Sequence, residues 1–466
     1  GSDGGSSSKS GGKKARATTN RFTNAGLPPT VCGMFKRLPS IVAGVCLGFI
    51  VAGVTTRLAL SWSWWPNREL GRSADYVRDV MKLVHDNYVA ADDVAYDRLR
   101  REAVHGLVES LDPHSEFLEE KDFRGLDEDL RGDFGGVGIQ IEIRKESVVV
   151  IAPIAGTPAE RAGIRRGDAI VAVDGKEVTR EVGMEGMVNL LRGKPGTKVT
   201  LTIQRPGMAA RQTIPIVREV IKVESIREVR VLEGGIGYIQ LVEFSERTGE
   251  DFSRALTWLQ TQNLRGLIID LRNNPGGLLD AAVAVAEPFF RKNELIVYTE
   301  GRQPEDREEF RSTTEGPPVA VPVAVLLNAG SASAAEVLAG ALKDTHRAVI
   351  VGERSFGKGS VQTIFHLKNG EGMRLTTARY YTPSGVTIHE KGIEPQIEVV
   401  MTPEEDEKLS LQRLRSDLSD PPAFTERFGF APIADRQLQA ALAALQGVNF
   451  LESRRAAAPT SGEAQP

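Results

Sequence analysis

Three short runs of contiguous apolar residues do most to limit what this chain can become. Leu267-Ile268-Ile269-Asp270-Leu271, Val321 to Leu327 and Ala348 to Gly352 each read as a strand, the first two as buried ones. Helical stretches, Leu278 to Phe289 and Ser333 to Leu342, separate them. Strand, helix and strand in repetition predict a layered α/β core from 221 to 401, with Gly237 to Phe244 as a further strand near its start.

The rest of the chain falls into segments around that core. The 466 residues are 41% hydrophobic and 26% charged, which allows several globular domains. Over 67–131 the pattern is helical, with Tyr76, Val80, Leu83 and Val84, then Tyr96, Leu99, Ala103 and Leu107, at turn spacing. Pro113, in Leu111-Asp112-Pro113-His114-Ser115, breaks it. Over 132–220 the reading is a small β-rich module: strands at Val148–Ile151, Gly167–Gly175 and Lys198–Gln204, helices at Pro158–Ala162 and Met184–Leu191. The segment 402–453 is charged and helical, with Leu438, Leu442 and Leu445 on one face, and 454–466 is expected to be a disordered tail.

The head of the chain is an address. Residues 1–37 are rich in Gly, Ser, Lys and Thr and are expected to be disordered. Met34-Phe35-Lys36-Arg37 then precedes the uncharged stretch Leu38 to Thr56, whose core Ile41–Val54 is almost purely apolar. A basic flank, an apolar run and a polar exit make 38–66 either a cleaved signal peptide or an uncleaved membrane anchor, with Met34 as the natural start. Trp62, Trp64 and Trp65 fit the interfacial belt of an anchor. In both readings the remainder of the chain lies outside the inner membrane, periplasmic or facing the periplasm.

Composition excludes several chemistries. The net charge of -4 gives no support to nucleic-acid binding. Cys32 and Cys46 both precede the globular part, which leaves it without a disulfide, a cysteine nucleophile or a cysteine zinc site. The six histidines are scattered without metal-ligand spacing, so no metal or other cofactor is expected.

Two stretches carry the chemistry. Leu326-Leu327-Asn328-Ala329-Gly330-Ser331-Ala332-Ser333-Ala334-Ala335-Glu336 runs from a buried strand through small residues into a helix. Such a junction can hold a side chain beside unpaired backbone N–H groups able to stabilise an oxyanion; an ordinary helix-capping serine reads the same way. Gly352 to Gln362 follows the next strand and sets Lys358 between two glycines. A buried lysine can be neutral and act as a general base; a solvated or anion-binding loop lysine is the plainer alternative. The phosphate-loop order of glycines, lysine and hydroxyl residue is absent.

Taken together, these stretches resemble the carboxyl-terminal processing, or tail-specific, proteases over roughly residues 73 to 400. Gly330-Ser331-Ala332-Ser333-Ala334-Ala335-Glu336 is similar to the family's serine motif and implies Ser333, not Ser331, as nucleophile. Ala335 departs from the family, which has a serine there. Phe356-Gly357-Lys358-Gly359 matches the lysine motif, and Gln362 matches the supporting glutamine. Asp270-Leu271-Arg272-Asn273-Asn274-Pro275-Gly276-Gly277 looks like the family's strand-to-loop motif, which implies Gly277 and Ala334 N–H groups as the oxyanion hole. Gly237-Tyr238-Ile239 and Thr382-Pro383-Ser384-Gly385 resemble structural landmarks.

The module from Asp133 to Arg218 resembles the family's PDZ domain, with Gly136, Val137, Gly138 and Ile139 in the loop that binds a peptide carboxylate. The resemblance therefore implies an α/β multidomain serine endopeptidase acting on proteins held by their C-termini. It also implies a homo-oligomer built through helical ends, or recruitment of a helical-repeat adaptor. A catalytically inactive PDZ scaffold is the alternative. A Ser-His-Asp enzyme using His346 is a third.

Overall fold

The computed structural model describes residues 68–144, 147–154, 156–178, 183–414 and 420–457. The segments 1–37 and 38–66, and the part of the expected tail 454–466 from 458 onward, lie outside them. No helix among the described residues is long and apolar enough to cross a membrane. The chain divides into two compact units, Gly1–Arg100 and Arg101–Pro466. The described part of the first holds helix α1 (Arg68–Asn87) and the start of α2 (Tyr96–Glu109). His85 there bonds the Val94 carbonyl and stacks on Tyr96.

In the second unit, α2 ends at a turn, strand β1 (Glu116–Leu118) and helix α3 (Glu120–Arg131) follow, and the chain then enters the β-rich module. Strand β2 (Asp133–Gly136) leads in. The module's sheet contains β3 (Ile139–Arg144), β4 (Ser147–Pro153), β5 (Ala169–Val173), β6 (Lys176–Glu177), β7 (Lys198–Gln204) and β8 (Gln212–Val217). Helices α4 (Pro158–Arg161) and α5 (Gly183–Leu191) pack beside it, and β9 (Glu219–Lys222) leads out, paired antiparallel with β2. The order β3-β4-β5-β7-β8 leaves β3 at an edge. Alternation buries Val199, Leu201 and Ile203 of β7 against Val150, Ile170, Met187 and Leu191. The buried Asp168 carboxylate is held by Arg205 at 2.8 Å.

The core domain is a six-stranded sheet in the order β10 (Ile226–Leu232), β11 (Ile236–Leu241), β12 (Gly266–Asp270), β15 (Val323–Leu327), β16 (Ala348–Gly352) and β19 (Ile397–Glu398). All pairs from β11 onward are parallel. A parallel sheet is covered on both faces, which is why β11, β12 and β15 are buried at every position. Leu267, Ile269, Val325 and Leu327 face helices α6 (Thr248–Thr261), α7 (Leu279–Ala286) and α8 (Ala334–Asp344). Ile268, Ala324, Leu326 and Val351 face the other way, onto Ala441 and Leu445 of the C-terminal helix α11 (Arg436–Ala457). The expected layered α/β fold is thus present, and the C-terminal segment supplies one of its layers.

A second, five-stranded antiparallel sheet joins β1 to β18 (Gly372–Tyr381), β13 (Leu295–Glu300) and β14 (Glu308–Arg311), with β17 (Ser360–His366) on β18. After β19 come α9 (Pro403–Leu414) and α10 (Pro421–Phe428).

Three sequence expectations need correction. The strand expected to reach Phe244 stops at Leu241, because Phe244 turns aside to bridge Gly277. The helix expected to run to Phe289 ends at Ala286 and tightens into a 3₁₀ turn over Glu287–Phe289, where Pro288 cannot donate to a continuing helix. Residues 454 to 457, assigned to the tail, continue α11.

Candidate active site

The loops that follow β11, β12, β15 and β16 all leave the carboxyl edge of one parallel sheet, the side on which open α/β sheets bind ligands. Ser333 sits there as the residue before α8, at φ 54 and ψ -119. A non-glycine residue at such angles stores about 1–3 kcal/mol and needs support. Support comes from Glu336 Oε2, which accepts the Ser333 N–H at 2.8 Å, and from Asn274, whose carbonyl takes the Ala332 N–H at 2.9 Å. Ser331, by contrast, is fully buried, donating to the Leu271 carbonyl at 2.8 Å and accepting from Asn328 N–H. Its hydroxyl closes the loop.

Glu336 also organises the lysine loop. Its Oε2 accepts the Lys358 N–H at 2.8 Å, and its Oε1 accepts the Gly357 N–H at 2.7 Å and the Ser355 hydroxyl. Burial holds this carboxyl above the usual carboxylate range, against the four donors that favour its charge. The Lys358 side chain is half-buried and has no hydrogen-bond or ion-pair partner among the described residues. Burial, and then the nearby Arg374 guanidinium, push its amino group below the usual lysine range, while Glu336 pulls the other way. Arg374 is itself paired with Glu116 at 2.8 Å. Tyr380, on β18, lies near Ser333, and burial pushes its phenol up to about 12, so it stays neutral.

Gly276 and Gly277 have no room for a side chain. A Cβ on Gly276 would lie 2.7 Å from Ser333 Cβ, and one on Gly277 would lie 2.1 Å from the Phe244 carbonyl oxygen. The Gly276 N–H is taken by Asn274 Oδ1 and the Leu278 N–H by the Phe244 carbonyl. Between them the Gly277 N–H has no acceptor among the described residues, and neither has the Ala334 N–H at the first turn of α8.

Gln362 is not hydrogen-bonded to Lys358. Its amide donates to Ser360 Oγ at 2.8 Å and Thr376 Oγ1 at 3.4 Å, and Thr376 in turn donates to Asp112. Asp112 folds the turn before β1 by accepting the His114 and Ser115 N–H groups at 2.8 and 2.9 Å. Burial opposes its charge, but these bonds, with the Ser115 and Thr376 hydroxyls, hold its pKa below the usual range. Burial, and next the nearby Lys358 amino group, push the His114 imidazole below its usual range. His346 lies past the far end of α8, whose 11 residues, at about 1.5 Å each, span about 16 Å from Ser333. That separation overturns the Ser-His-Asp alternative built on it.

Comparison with known proteins gives the family. The profile of Peptidase family S41 matches residues 235–399, and that of the PDZ domain matches 149–205. The carboxy-terminal-processing protease of Bartonella bacilliformis is 41% identical over 360 residues, covering 75% of this chain and 82% of that protein. The chain belongs to the carboxy-terminal-processing proteases. The carboxy-terminal processing protease CtpA of Bacillus subtilis is 36% identical over 317 residues, 68% of this chain and 66% of its own. Among solved structures, a photosystem II D1 C-terminal processing protease is 31% identical, with a TM-score of 0.41, covering 69% of this chain and 92% of that one. The protein is therefore a serine-type peptidase with a PDZ domain.

In this protease the loop from Gly136 to Ile139 turns its carbonyls into the domain. Val137 O accepts from Ala159 N, and Gly138 O accepts from Ile154 N and Thr157 Oγ1. A Cβ on Gly138, at φ +78, would lie 2.4 Å from the Thr157 side chain. Beside the loop, Val137, Met187 and Leu191 are buried and Ile139 packs against them.

Sequence reasoning named Ser333 and Lys358 but gave Glu336, Arg374, Tyr380 and Asp112 no role. For Glu336 a signal was present: Ser333-Ala334-Ala335-Glu336 has the Ser-x-x-Glu spacing of a helix start. Asp112-Pro113-His114-Ser115 likewise has turn chemistry, though nothing local tells that it packs beside a lysine loop far along the chain.

Proposed function

We propose that the protein is an exported endopeptidase that holds substrates by their C-termini on its PDZ domain and cleaves them with Ser333 and Lys358. The observation that carries the reading is the single carboxylate oxygen of Glu336, bonded to the N–H groups of both residues, with an unpaired, half-buried lysine amine beside it.

The Ser333 hydroxyl attacks the scissile carbonyl as neutral Lys358 takes its proton. Gly277 and Ala334 N–H groups receive the developing oxyanion, and each such donor is worth about 10²–10³ in rate. Lys358 then returns the proton to the leaving amine, and water releases the acyl group with the same base. Gln362 acts at one remove, through Ser360 and Thr376, in fixing β17 beside the lysine loop. No step requires a cofactor.

On the PDZ domain, the N–H groups of Gly136, Val137, Gly138 and Ile139 offer an anion nest for a terminal carboxylate, and edge strand β3 accepts the peptide as an added strand. The segments of the proposal are 67–131, 132–220, 221–401 and 402–453, with 38–66 directing export as a signal peptide or an anchor. The basic flank and apolar run of that segment support export.

The test is replacement of Lys358. Lys358→Ala should keep the fold and lose about 10²- to 10⁴-fold in turnover. Lys358→Arg should be equally inactive, since arginine does not release its proton. Wild-type activity in Lys358→Arg would refute the mechanism.

A further inference from the structure

The polar side chains of the C-terminal segment converge on the three loops assigned to catalysis. Arg272, two residues after β12 begins its exit toward Gly277, is 2% exposed. It binds Asp270, the last residue of β12, and its remaining donors go to the C-terminal segment: Asp435 Oδ1 at 2.8 Å, Asp435 Oδ2 at 3.0 Å and Gln437 Oε1 at 3.1 Å. Asp435 also caps α11, accepting the Leu438 N–H at 3.0 Å, and pairs with Arg413 of α9.

Gln437 is 1% exposed. Its neighbours on the helix, Leu438, Ala441 and Leu445, pack on the sheet. A buried amide costs stability unless its groups are bonded, and here both ends are bonded. The carbonyl end meets Arg272, and the amide end donates to the Val399 carbonyl at 2.9 Å and to Glu353 Oε1 at 3.3 Å. Glu353 opens the loop that carries Lys358, and its Oε1 also accepts the Met401 N–H at 2.7 Å. Asp406 of α9 meets the remaining loop: Oδ2 accepts from Asn273 and Oδ1 from Asn328, which precedes the serine. Asn273 and Asn328 are also bonded to one another at 2.8 Å.

We propose that the C-terminal segment positions the catalytic loops, with Asp435 and Gln437 fixing the glycine loop through Arg272, Gln437 tying it to the lysine loop through Glu353, and Asp406 bridging the glycine and serine loops. Residues 401–437 follow the last residue matched by the peptidase profile, at 399. The inference rests on the assignment of Ser333 and Lys358. It makes Asp406, Asp435 and Gln437 positioning residues: none touches the substrate.

The test uses the full-length protein with Gln437→Met, which keeps the side chain's bulk and removes its three hydrogen bonds, and Asp435→Asn as a second variant. Rates are read well below each variant's melting transition, as kcat and KM on a tail-bearing protein and as the rate of labelling by a small fluorophosphonate, with the labelled residue found by mass spectrometry. The expected result is a fall of about 10- to 100-fold in kcat and in labelling rate, with KM and the affinity for a free tail peptide unchanged within twofold. A merely structural role predicts a lower melting temperature with kcat unchanged, and that result overturns the proposal. Label on a residue other than Ser333 in the wild-type protein would instead refute the catalytic assignment, and this inference with it.

Discussion

The backbone N–H of Ser333 and the backbone N–H of Lys358 donate to the same carboxylate oxygen, Glu336 Oε2, each at 2.8 Å. The two residues come from different loops, which this shared acceptor joins beside a direct backbone bond from the Phe356 N–H to the Ser331 carbonyl at 2.9 Å. Their spacing is therefore set in part by a side chain that takes no part in proton transfer.

Glu336→Gln tests this relationship. An amide turns two hydrogens toward groups that are themselves donors, so at least one of the four bonds becomes a repulsion. We expect kcat to fall by about 10²-fold, as misplacement by an ångström can do. Melting should also drop, since each buried donor left unsatisfied costs about 1–3 kcal/mol. Turnover at the wild-type rate in the folded variant would remove Glu336 from the mechanism.

The pH dependence follows from Lys358. Its folded-state pKa lies below the usual lysine value, burial being the largest cause and Arg374 the next. The base must be neutral, so kcat/KM should climb with pH along a limb placed below the roughly 10.4 of a free lysine. Arg374→Gln removes a positive charge that disfavours the ammonium form. The lysine pKa then rises, and the limb should move to higher pH. Parallel pH–rate profiles decide this; an unmoved limb, or one moved toward acid, contradicts the electrostatic account.

Recognition of the terminal carboxylate can be read from one pair of substrates. Amidation removes the anion while leaving the cleavage site intact. Below KM, the amidated form should be cleaved more slowly than the free acid, because anchoring on the PDZ domain raises the local concentration of the chain, on the order of millimolar for a short tether. Equal rates would exclude recruitment through the carboxylate. A faster rate after deletion of 133–218 would show that the domain restrains cleavage instead.

What the sequence made legible was local. The strands at Leu267, Val323 and Ala348 were readable because contiguous apolar residues have few other uses, and α8 because small residues and a serine precede it. Ser333 and Lys358 were readable from their motifs. The second sheet was not, since β1 pairs with β18 across more than half of the chain, Glu116 lying opposite Arg374. No local pattern states that register. For the same reason Gln362 was assigned to Lys358, although the structure bonds it to Ser360 and Thr376. The helical face of Leu438, Leu442 and Leu445 was visible, yet not that it covers the core sheet or that Gln437 beside it reaches two loops.

The ribbon of β2 and β9 gives the PDZ domain a particular status. Chain enters the domain through Asp133–Gly136 and leaves through Glu219–Lys222, and these strands are already paired side by side. Whatever lies between them is a loop whose ends the host has brought together, and the entropy of closing a loop grows only with the logarithm of its length. The peptidase thus carries its reading head as a cassette. The span between Gly136 and Glu219 can lengthen, diverge or be exchanged for another peptide-binding module at little cost to the sheet that bears the serine, so preference for substrate tails and the cutting chemistry are free to evolve separately.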